Sequence, residues 1–136
     1  MTAVLVVYLL AVARITLWPS FADPESFDAL RTVVAWLDAR GVPVTYAGVE
    51  ATANVVMFMP FGVLVGLLAS ARHRWQWLVV AAGCATSATI ETCQLLFLPT
   101  RVPSLQDVAM NTLGAGVGVL CLVVAHRHVA RRARLT

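Results

Sequence analysis

The chain has 136 residues, of which 60% are hydrophobic and 12% charged, with a mean hydropathy of +0.80. A soluble domain carries about 25% charged residues, so this composition excludes one. The net charge of +3 comes from ten basic residues, all of them arginine, against seven acidic ones.

A membrane-crossing helix needs about 20 apolar residues. Four runs reach or approach that length, at about 2–18, 51–70, 75–98 and 105–125. They predict an all-α membrane protein over residues 1–136: a four transmembrane helix bundle with one external amphipathic helix between spans 1 and 2. The first run has no basic residue ahead of it, and Arg14 falls where a signal peptide would pass into its cleavage site. A retained span is therefore expected rather than a cleaved leader.

The segment after the first span is acidic, with Asp23, Glu25, Asp28, Asp38 and Glu50 against Arg31 and Arg40. Asp23-Pro24-Glu25 supplies a capping acceptor, a proline for the first helical position and an acid for the first turn. Gly41 supplies a stop. Phe27, Leu30, Val33, Val34 and Leu37 recur at helical spacing opposite Asp28, Arg31 and Asp38. A helix over about 24–40 lying at the membrane surface is expected, either anchored in the headgroups with Trp36 at that level or lidding the bundle.

The second span contains Gly62-x-x-x-Gly66 and the fourth Gly114-x-x-x-Gly118. Small residues four apart let helices approach closely in lipid, so these two spans are expected to pack together. Pro60 removes one backbone hydrogen bond from the second span and is expected to bend it. Arg72 and Arg74 sit between spans 2 and 3, and Arg127, Arg131, Arg132 and Arg134 follow span 4. Arginine-rich flanks stay in the cytoplasm, which predicts a multi-pass protein with both termini cytoplasmic. Beside a span, such a tail marks topology and touches anionic lipid rather than nucleic acid. Cys84, Cys93 and Cys121 all fall within spans without metal-ligand spacing; buried packing thiols are expected, and no metal or cofactor is assigned.

The informative residues are polar ones in the spans. Glu91 and Gln94 are three apart, and Asp107 and Asn111 four apart, so each pair shares a helix face. In the expected topology Arg14 and Asn54 also lie near the outer face, and Arg101 lies in the short loop between the pairs. All these positions gather in the outer half of the bundle. Their charges balance, Arg14 and Arg101 against Glu91 and Asp107, which permits partial burial. Charges inside membrane-length segments usually face a protein interior and serve a function.

The pattern Asn54, Phe58-x-Pro60-Phe61-Gly62, Glu91-x-x-Gln94, Arg101 and Asp107-x-x-x-Asn111-Thr112-Leu113-Gly114-x-x-x-Gly118, with Arg14-x-Thr16-Leu17-x-Pro19 in the first span, resembles the VanZ-like family of small bacterial membrane proteins. The resemblance implies a bacterial plasma-membrane location and a process, resistance to the lipidated glycopeptide teicoplanin. It marks Asn54, Glu91, Gln94, Arg101, Asp107 and Asn111.

Three functions fit the residues. The favoured one is non-catalytic binding of a membrane lipid or lipidated envelope molecule, with Arg14, Asn54, Glu91, Gln94, Arg101, Asp107 and Asn111 as ligand-binding residues. The arginines would grip a phosphate or carboxylate. The second is an intramembrane enzyme using Glu91 and Asp107 as an acid/base pair on a lipid head group. The third is a structural polar network or a proton-coupled carrier subunit, the latter requiring a homo-oligomer.

Overall fold

The computed structural model describes residues 1–17, 24–41, 43–69, 74–98 and 104–133. It has five helices among them and no strand: α1 (Thr2–Leu17), α2 (Pro24–Asp38), α3 (Tyr46–Ala69), α4 (Trp75–Phe97) and α5 (Leu105–Arg132). By length and composition α3, α4 and α5 can each cross a membrane. The 16-residue α1 is apolar but spans only ~24 Å against the ~30 Å of a hydrocarbon core.

Two helices differ in extent from the sequence expectation. α3 begins at Tyr46 rather than near residue 51, because Thr45 caps it: the Gly48 N–H donates to Thr45 Oγ1 at 3.1 Å and the Val49 N–H to the Thr45 carbonyl at 3.0 Å. α5 continues seven residues past the end of its apolar run, to Arg132. α2 forms where expected. Thr32 Oγ1 donates to the Asp28 carbonyl on its polar side, and the Arg40 guanidinium lies 3.4 Å from the Trp36 ring centroid. The side chains of Phe27, Leu30 and Val33, three of the five residues of its expected apolar face, lie outside the described residues.

α3 and α5 form the main pairing, with α4 against both and α1 against α3 and α4; α2 shares no comparable packing with them among the described residues. α3 and α5 run parallel, and the two Gly-x-x-x-Gly segments meet as expected. A Cβ on Gly62 would overlap the Ala115 carbonyl, one on Gly114 the Val55 carbonyl, and one on Gly118 the Met59 carbonyl. Absent side chains thus bring one backbone onto the other, close enough for Cα–H to carbonyl contacts. Further along the pair, a Cβ on Gly66 would lie 2.9 Å from both Leu122 and the Trp75 ring.

Two apolar layers fill the interior. Val12, Phe58, Phe61 and Ala115 form one, with the two rings stacked at 5.7 Å between centroids. Trp75, Val79, Val119 and Leu122 form the other, at the arginine-rich end. α3 runs uninterrupted through Pro60. Proline has no N–H for the Val56 carbonyl, and at the neighbouring carbonyl, Met57, the Tyr8 hydroxyl of α1 donates at 2.7 Å. This bond holds α1 on the bundle. Tyr8→Phe is expected to lower stability by about 1 kcal/mol, read as an earlier melt in detergent with helix content unchanged.

The cysteines depart from expectation. Cys84 and Cys121 are exposed on the helix bundle and Cys93 is half-buried. An apolar span face can meet lipid as well as protein, so residence in a span does not bury a thiol.

Candidate functional site

The polar residues collect at one end of the bundle, where α1 and α4 finish and α3 and α5 begin. Glu91 lies six residues before the end of α4, which is roughly 9 Å at the helical rise. Ser87 lies four residues deeper, about halfway through a bilayer-thick helix. Along this stretch α4 presents Gly83, Ser87, Glu91 and Gln94 to the interior, all buried. Charged and amide groups stay there because each has a defined partner.

The partners come from three other elements. Gln94 Nε2 donates to the Thr16 carbonyl at 2.9 Å and ties α4 to the last turn of α1. Glu91 Oε2 accepts the Ser104 N–H at 3.0 Å. Ser104 is also the N-cap of α5, its hydroxyl accepting the Gln106 N–H at 3.1 Å, so the Glu91 carboxylate sits against the positive end of that helix. Asn54 Nδ2 of α3 donates to Asp107 Oδ1 of α5 at 2.8 Å. Deepest of all, Asn111 Nδ2 donates to Ser87 Oγ at 2.8 Å.

Burial follows the same order. Asp107 and Asn54 are half-buried, Glu91 is 9% exposed, Asn111 4% and Ser87 0%. Below Asn111 the polar character ends. Ala115 lies one turn further along α5, fully buried with Phe58 and Phe61, and a Cβ on Gly83 would lie 2.7 Å from the Ala115 methyl. The arrangement is a polar half resting on an apolar floor.

One atom in it is unsatisfied. Asn111 Oδ1 is buried and has no hydrogen-bond partner among the described residues. A buried acceptor without a donor is destabilising by about 1–3 kcal/mol, so in native structures such an atom calls for an explanation. It is an acceptor, and what would satisfy it is a hydrogen-bond donor.

The structure therefore brings together Asn54, Glu91, Gln94, Asp107 and Asn111. Arg14 is exposed in the last turn of α1, at the same end. Arg101 lies outside the described residues. Ser87 and Ser104 join the site without having been singled out in the sequence, and Thr16, part of the first-span pattern, enters it through its backbone carbonyl. Ser87 carried one usable signal, its position four residues before Glu91 on the same face. No group of three His, Cys, Asp or Glu that could hold a metal occurs among the described residues; between described residues, Glu91 accepts the Ser104 backbone N–H and Asp107 the Asn54 amide.

A second feature lies at this end. Val44, Thr45, Gly48, Val49, Thr52 and Val56 line an open groove of about 570 Å³ along the first turns of α3, together with Pro43 and Ala53. Its residues follow one stripe of the helix, on a different side from Phe58, Phe61 and Gly62.

No curated protein and no solved structure matches the chain. A family model does, over residues 5–126, which takes in α2 to α4, most of α1 and α5, and every residue of the polar cluster. The chain is a membrane protein and belongs to the VanZ/LLP1 family.

Proposed function

We propose that the chain is a four-span plasma-membrane protein, with α1 as the short fourth span, α2 outside, both termini cytoplasmic, and the polar half of the bundle open to the outer face. Its work is to bind an envelope lipid, a lipid-linked precursor or a lipidated glycopeptide antibiotic. The observation that carries this reading is the buried, unpartnered Asn111 Oδ1 at the foot of a polar network. A network that served only to join helices would close on itself. Interhelical polar bonds contribute on average about 0.6 kcal/mol in a membrane, too little to offset an orphaned acceptor.

The apolar floor beneath Asn111 supports binding over transport, since a carrier needs a polar route to the other end. A second reading, catalysis with Glu91 and Asp107 as acid and base, is favoured by one observation: one carboxylate is buried and the other half-exposed, which is the asymmetry an acid/base pair needs.

Native mass spectrometry of gently extracted protein separates the two. In Glu91→Gln the side chain keeps an oxygen to accept the Ser104 N–H. A binder is expected to retain the wild-type adduct with at most a few-fold loss. An enzyme would show product on the wild type and unconverted substrate alone on the variant. Well-folded wild type without any adduct overturns both readings and leaves the network a structural one.

A further inference from the structure

The opposite end of the molecule carries a separate feature. Gly66 of α3, Trp75 of α4 and Leu122 of α5 pack together; α4 begins at this level and α3 ends three residues past it. α5 runs on to Arg132, ten residues or roughly 15 Å further. From Val124 to Arg132 every residue is exposed.

The side chains on this helix are not arranged at random. Leu113, Leu120 and Val124 are exposed large apolar residues at spacings of seven and four, one stripe facing away from the buried Leu122. Carried on by three, four and seven positions, the same stripe passes through Arg127, His128 and Arg131. Val124, Arg127, His128 and Arg131 line a shallow groove there. Leu113 to Val124 spans about 16 Å of helix, which matches one leaflet of a ~30 Å hydrocarbon core. The sequence of chemistry along the stripe is that of a phospholipid standing upright: aliphatic side chains for the length of an acyl tail, then two guanidinium groups and an imidazole at headgroup height.

We propose that this stripe of α5 is a binding site for a phospholipid with an anionic headgroup, the tails against Leu113, Leu120 and Val124 and the phosphate held by Arg127 and Arg131, with His128 as a further donor. Arg127 and Arg131 are one helical turn apart, so both reach the same headgroup, and paired guanidinium donors suit phosphate oxygens. Charge complementarity selects the anionic lipid over a zwitterionic one. The site shares no residue with the polar cluster at the other end and does not rest on the function proposed for it.

The test uses the full chain in nanodiscs of phosphatidylglycerol mixed with phosphatidylcholine, followed by release and native mass spectrometry. Wild type is expected to retain phosphatidylglycerol in preference to phosphatidylcholine. Arg127→Ala/Arg131→Ala is expected to reduce that preference roughly thirtyfold, given the contribution of each arginine at an anionic surface. Arg132→Ala, which removes one charge from a different side of the helix, is expected to leave it near wild type. These residues are exposed, so an unchanged melting temperature will show that each variant is folded. Equal losses per charge removed in Arg132→Ala and the double variant would reduce the effect to net charge and overturn the proposal. So would unchanged retention in the double variant. Displacement of the bound lipid by inorganic phosphate alone would overturn it in favour of a small-anion site.

Discussion

Gly118→Val is expected to remove about 3 kcal/mol or more of stability by forcing α3 and α5 apart. A Cβ at that position would overlap the Met59 carbonyl and lie 3.0 Å from Gly62 Cα and Val63 N. All three neighbours are backbone, and a backbone inside two helices cannot turn aside as a side chain does. Overpacking a core is typically destabilising by about 1–3 kcal/mol when side chains can adjust. Here α3 and α5 must separate, and the Asn54–Asp107 hydrogen bond joins the same pair. In a chain of this size the change corresponds to a fall in melting temperature of roughly 10 °C or more. Gly116→Ala is the matched control on the same helix. Nothing lies within 4 Å of its Cβ, so it is expected to leave stability unchanged or raise it by up to ~1 kcal/mol through helix propensity. Thermal melts in one detergent decide the matter, and equal losses in both variants would refute the close α3–α5 pairing.

That pairing was legible in the sequence, and the reason is physical. In lipid, close approach of helices depends on missing side chains rather than on apolar ones, so two Gly-x-x-x-Gly segments single out the helices that touch. The polar set was legible for a similar reason: charged and amide residues are scarce enough in spans that helical spacing alone sorted them onto faces. Hydropathy placed the cores of α3, α4 and α5 correctly.

What hydropathy could not do was tell inside from outside. Both faces of a membrane helix are apolar, so Cys84 and Cys121 read as core residues and lie exposed. Ser87 escaped notice because it sits in Ala85-Thr86-Ser87-Ala88-Thr89, where hydroxyls ordinarily bond their own helix. Thr89 and Thr92 do so, donating to the Ala85 and Ala88 carbonyls at 2.8 Å. Only the partner across the interface, Asn111, sets Ser87 apart. The ends of α3 and α5 were missed because they rest on a threonine cap and on the helix propensity of alanine and arginine, neither of which a hydropathy window registers.

Asn111→Leu separates structural cohesion from ligand binding more sharply than any other substitution in the polar half. Leucine is close to asparagine in shape and carries no polar atom. It loses the 2.8 Å bond to Ser87, worth about 1 kcal/mol, and Ser87 can turn its hydroxyl to a carbonyl of its own helix. It also removes the unpartnered Oδ1, whose burial opposes folding by a comparable amount. The two terms nearly cancel, so the variant is expected to melt within about 1 kcal/mol of wild type. Ligand retention is expected to fall about tenfold or more, because the donor that would satisfy Oδ1 has lost its acceptor and a factor of ten corresponds to 1.4 kcal/mol. The informative outcome is the split between the readouts. A residue kept for cohesion alone would show the reverse, a clear loss of stability with the adduct unchanged. An acceptor buried at a net disadvantage to the fold persists where something outside the fold uses it.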